Sequence, residues 1–174
     1  QMGLALHNYH DTFTYFPFGE MNGIGQTAPA AATRLRNQND LVMLLPYIEQ
    51  ANLYSTFDFS ATFGKYSGAG VSPVAVPTGG NLVAKTTKLA AFMCPSDSGN
   101  SFITDDGIYY GCGTSGISQK SSYGLSVNGT HYNGTWSTVG PTVRTAFGGN
   151  SNSTMRDFTD GTSNSALVIE NVFT

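Results

Sequence analysis

The sequence predicts an α+β domain, helical first and β-rich after, on three observations. Met2, Leu6, Tyr9 and Phe13 recur at i, i+4, i+7 and i+11, one apolar stripe at helical period. Pro46 opens a second helical stretch, since proline suits the first helical position. Beyond Cys94 the pattern changes to short runs of β-formers separated by Gly and Asn-Gly pairs. The 174 residues suffice for a single domain with a substantial core. Its expected divisions are the end of a longer N-terminal helix at 1–13, helices and loops at 14–93, and the β-rich region at 94–174.

Taken in order, the first helix opens without a capping residue, because Gln1 is a poor N-cap. It is therefore expected to continue a helix that begins upstream. It stops at Phe16-Pro17-Phe18-Gly19, where Pro17 disfavours helix at Phe16. Residues 20–38 are polar and Gly/Ala-rich, a loop. The apolar run 39–45 leads into the second helix, 46–57, whose buried face is Leu45, Ile48, Leu53, Tyr54 and Phe57. Glycines and prolines punctuate a loop over 58–80, and Asn81 is placed to cap a third helix through Lys88. Strands are predicted at 108–110, 121–127, 131–132, 135–139, 143–147 and 166–170. Asn128-Gly129 and Asn133-Gly134 are hairpin turns, and Asp160-Gly161 turns the chain into the last strand. The helix is expected to lie on one face of an antiparallel sheet, with Leu4, Leu6, Tyr9 and Phe13 as the seam.

Composition excludes several partners. Charged residues make up 11 %, well below the ~25 % of ordinary soluble domains. The 8 basic residues against 11 acidic ones give −3, and nowhere do the basic ones cluster. Nucleic acid needs a basic face, so it is not an expected partner. A polybasic membrane-binding helix fails for the same reason. No stretch approaches the ~20 apolar residues of a membrane span. Contact with a membrane is expected through an upstream helix alone.

Several residue sets bear on chemistry. Cys94 and Cys112, 18 positions apart, lack metal or haem spacing. In an exported protein they are most simply a disulfide, which would contribute roughly 3 kcal/mol by loop closure. Two buried thiols are the alternative. Asp97, Asn100, Asp105 and Asp106 cluster on one Gly/Ser-rich loop, the oxygen-rich setting that Ca²⁺ accepts. Ordinary Asp and Asn turn chemistry explains the same residues, and no other cofactor is expected. Asp157, Asp160 and Asn164 form a weaker cluster of the same kind. His7, His10 and Asp11 share one helical face but lack a fourth ligand. No nucleophile elbow, phosphate loop or dinucleotide fingerprint is present, so an enzyme is not expected. Asn128, Asn133 and Asn152 begin sequons, which mark surface loops if the host glycosylates them. Tyr109, Tyr110, Tyr123, Tyr132 and Trp136 could form a stacking platform for sugars, but strand aromatics more often serve as core or subunit contact.

The blocks GLALHNYHDTFTYFP at 3–17, LLPYIEQANLYSTFDF at 44–59, FMCPSD at 92–97 and FTDGTSNSALVIEN at 158–171 also carry a resemblance. In this order they resemble a pilin-like family of unknown function, abundant in planctomycetes, whose members begin with a prepilin-type leader. The chain departs from that family in lacking the late His and Asp-Gly segment that many members carry. The resemblance implies a type IV pilin-like head at the cell surface. Its expected role is a structural subunit of an extracellular filament, with copies of itself as partners. The alternative is a pilin-like surface module that binds polysaccharide or protein.

Overall fold

The computed structural model describes residues 1–21, 38–66, 78–104, 109–111, 117–127, 136–140, 142 and 144–172. Helix α1, Met2–Phe13, buries Met2, Ala5, Leu6 and Tyr9. Leu6 and Tyr9, two of the four residues expected at a helix–sheet seam, are buried, but Leu4 is not: it is 67 % exposed. Leu4 and Leu6 stand about 200° apart around a helix of 3.6 residues per turn, so one face cannot hold both. Phe13 overhangs the end of the core and is 44 % exposed. The helix ends before Pro17 acts. Thr14 turns into the left-handed region at φ 67° and donates its N–H to the His10 carbonyl at 2.6 Å.

The partner of α1 is also different from the one expected. It packs mainly on α2, Asp40–Leu44, and on the 3-10 turn Leu45–Ile48, not on a sheet. Asn39 caps α2, its side-chain oxygen accepting from the Leu41 N–H at 2.8 Å. The predicted helix over 46–57 is broken in two. Pro46 has no N–H to extend the α2 ladder, and Glu49 closes the 3-10 turn with φ 64°. Only the short α3, Ala51–Tyr54, follows. The third helix, α4, runs Gly79–Thr86, and Asn81 lies inside it rather than capping it.

The β content is short ladders rather than one sheet. Among the described residues they are four antiparallel pairs. Strands β1, Glu20–Met21, and β2, Gln38–Asn39, form the first, and β3, Lys65–Tyr66, pairs with β5, Tyr109–Gly111. Strand β4, Phe102–Thr104, pairs with β6, Ile117–Gln119, and β7, Tyr123–Leu125, pairs with β8, Val168–Glu170. Residues 136–138, predicted as strand, form a 3-10 turn. Over the predicted strand 143–147, the described residues contribute one bridge, Phe147 to Val127. The hairpin turns at 128–129 and 133–134 and the strand at 131–132 lie outside the described residues.

Aromatic residues tie the two ends of the chain together. Phe16 and Phe147 are fully buried. The Phe16 ring stands edge-on to Phe147 at 6.2 Å and to Phe158 at 5.4 Å. Its N–H donates to the Ser153 carbonyl at 2.7 Å. The Gly19 N–H donates to the Gly148 carbonyl at 3.0 Å. Glycine is needed at 148 because a Cβ there would lie 2.7 Å from Trp136 Cδ1.

Candidate functional site

A cleft of about 560 Å³ opens beside this core. Several elements build it. Leu41 comes from α2 and Leu53 from α3; Phe57 and Phe63 come from the following loop, Ala84 from α4 and Leu125 from β7. Asn81 holds the loop wall in place and is itself 1 % exposed. Its Oδ1 accepts from the Asp58 N–H at 2.7 Å, and its Nδ2 donates to the carbonyls of Asp58 at 2.9 Å and Thr62 at 3.2 Å. The preceding residue must be glycine, because a Cβ on Gly80 would overlap the Thr56 carbonyl. Phe57 and Phe63, so positioned, stack with centroids 5.0 Å apart.

The polar side chains lining the cleft are largely engaged within the protein. Gln38 Nε2 donates to the Phe59 carbonyl at 3.0 Å. Gln119 Nε2 meets the Ser101 and Lys120 carbonyls at 2.9 Å each and Met93 Sδ at 3.1 Å, while its buried Oε1 has no partner. Flipping that amide would set its oxygen against two carbonyl oxygens, so its orientation is fixed. Ser121 Oγ donates to the Tyr123 carbonyl at 2.6 Å. Asp40, Lys85 and Lys120 supply the charge in the lining.

Of the residues singled out from sequence for chemistry, Tyr123 lines the cleft; the other described ones sit elsewhere. His7 and Asp11 are exposed, whereas the half-buried His10 ring packs on Phe16 at 4.8 Å with its Nε2 unpartnered. No group of three or more His, Cys, Asp or Glu suited to a metal is gathered among the described residues. Asp97 Oδ1 accepts from the Gly99 N–H, and Asn100 Oδ1 from the Phe102 N–H, at 2.9 and 3.1 Å. Both are turn-forming bonds. Asp105 and Asp106 lie outside the described residues. Asp157 accepts from the Thr154 N–H and hydroxyl at 2.7 and 2.9 Å, and the backbone bond leads in holding its carboxyl below the usual range. Cys94 is a free, half-buried thiol 3.1 Å from Ser96 Oγ. Cys112, its expected partner, lies outside the described residues, as do Asn128, Asn133 and Tyr132. The side chains of Tyr109 and Tyr110 are likewise not described. Asn152 is exposed.

Trp136 is not an open stacking platform. It is 7 % exposed, donates Nε1–H to the Thr145 carbonyl at 2.8 Å, and carries the Arg144 guanidinium 4.3 Å over its ring. Tyr9, Tyr15 and Tyr47 cluster instead around the end of α1. Burial raises the Tyr9 phenol above its ordinary range, with the neighbouring tyrosines adding to the effect. Sequence reasoning missed the cleft as a site, because its walls come from separate elements and no local pattern marks it.

The fold and the cleft define an α+β domain with an apolar pocket flanking its core. No helix among the described residues is long and apolar enough to cross a membrane. A family model described as "Protein of unknown function (DUF1559)" matches residues 1–174, and the chain belongs to that family. No curated protein and no solved structure matches it.

Proposed function

We propose that this chain is the outer head of a structural, non-catalytic subunit in an extracellular type IV pilin-like filament. The observation that carries the reading is where the four pilin-like sequence blocks meet. Leu6 and Tyr9, Leu44 and Leu45, Phe92, and Phe158 with Leu167 all join one hydrophobic cluster. The blocks therefore describe a scaffold built around α1, which suits a head carried on a helix. Leu4, on the face of α1 turned from that cluster, would be covered by a neighbouring subunit. Burial of such apolar surface, rather than charge pairing, would drive assembly. A head-to-tail contact that does not close would propagate as a helix. Oxidation of Cys94 with Cys112 after export belongs to the same reading, and maleimide labelling with and without reductant tests it.

The test of the filament is direct. The full gene product is expressed in its own host and surface material is sheared off for negative-stain imaging. Fibres with a regular axial repeat that bind an antibody to this chain are expected; isolated monomers alone would overturn the proposal. A surface binding module is the second reading, favoured by the cleft rather than by the predicted aromatic platform.

A further inference from the structure

The geometry points to a ligand site in the cleft for an anionic amphiphile, a molecule with an apolar body and one acidic head group. The size is right for a small ligand, since about 560 Å³ falls within the range of small-molecule pockets. The walls choose the body. Leu41, Leu53, Phe57, Phe63, Ala84 and Leu125 present apolar surface. Gln38, Asn81 and Ser121 already hold hydrogen bonds within the protein. A sugar would lose its bonds to water there and find few in exchange. An apolar body loses nothing.

Charge complementarity chooses the head group. Among the described residues, the lining contains two cations, Lys85 and Lys120, against one carboxylate, Asp40. Each of the three also interacts within the protein, so the argument concerns the balance of the lining and not an unpaired group. In a partly desolvated cleft that surplus attracts an anion more strongly than the chain's overall −3 suggests. The site is independent of the filament proposal.

Two dyes with the same ring skeleton test both halves. 1-Anilinonaphthalene-8-sulfonate carries a sulfonate, and N-phenyl-1-naphthylamine does not. Titrated into the folded 174-residue chain, the sulfonate dye is expected to bind saturably at one site, with a blue-shifted emission. Leu53 is a half-buried wall residue of the cleft. Leu53→Trp is therefore expected to narrow the cleft and weaken both dyes at least tenfold. Lys85→Gln with Lys120→Gln is expected to weaken the sulfonate dye about fivefold, the scale of a partly screened ion pair, and to leave the neutral dye unchanged. Unsaturable binding, or equal binding to wild type and a folded Leu53→Trp, would overturn the site. Equal losses for both dyes in the lysine variant would overturn the choice of an anion. If Leu53→Trp does not fold, competition between the two dyes on wild type decides: failure to displace one another overturns a shared site.

Discussion

Two apolar regions lie side by side in this molecule and differ in one respect. Around Phe16 the space is filled: its ring contacts Phe147 and Phe158 edge-on, with His10 against it as well. Around Phe63 the same kinds of side chain line about 560 Å³ of open cleft. Composition does not distinguish the two. The filled region is held by the main-chain bond at Phe16, and the walls of the open one by Asn81 and the Gly19–Gly148 bond.

The comparison is broken most strongly by emptying the filled region. Phe16→Ala removes a fully buried ring and is expected to cost about 3–5 kcal/mol, read as a large drop in the urea midpoint. A drop under about 1 kcal/mol would mean that this region collapses as easily as the cleft. Asn81→Ala comes next. It leaves the Asp58 amide and the Asp58 and Thr62 carbonyls without their side-chain partner, at about 2 kcal/mol. Hydrogen exchange is expected to speed at residues 57–63 while the amides of α1 stay protected.

Smaller effects sharpen the contrast between structural and surface groups. Asp157→Asn weakens the Thr154 capping box and is expected to cost at most about 1 kcal/mol, since the carboxylate is exposed. Its folded pKa is lowered from the ordinary 3.8. The ionised form therefore stabilises the fold above pH 3.8, and that contribution fades as pH falls through the lower folded value. Wild type and variant are expected to converge in thermal stability in strong acid and to separate near neutrality. Leu4→Ser is the smallest, within about 0.5 kcal/mol for the isolated chain, since its side chain lies outside the core. Under the filament proposal the same change reduces fibre yield, a separation that no effect on folding would produce.

Legibility followed the range of the physics. The α1 stripe was readable at Met2, Leu6 and Tyr9, because a helix repeats its face every few residues. The left-handed Thr14 and Glu49, each closing a helical turn with a local backbone bond, were not, since neither is a residue that prefers that region. The strand expected at 135–139 gives way at 136–138 to a 3-10 turn. Trp136 is β-favouring by type, but its indole N–H is satisfied by the Thr145 carbonyl in a 3-10 turn. Context overrode propensity. Of the candidate site, Phe57 was read correctly as an inward residue of the helical region, but its role as a wall depends on Asn81, distant in sequence.

Local periodicity, turn chemistry and composition determined that this chain is helical first, β-forming after, and poor in charge. Those features arise between residues a few positions apart, where the sequence holds all the terms. Which aromatic faces meet, where the short ladders pair, and that one apolar region fills while its neighbour stays open were decided by tertiary structure. Close packing depends on the shapes of side chains brought together from distant segments, and no window of sequence contains both partners.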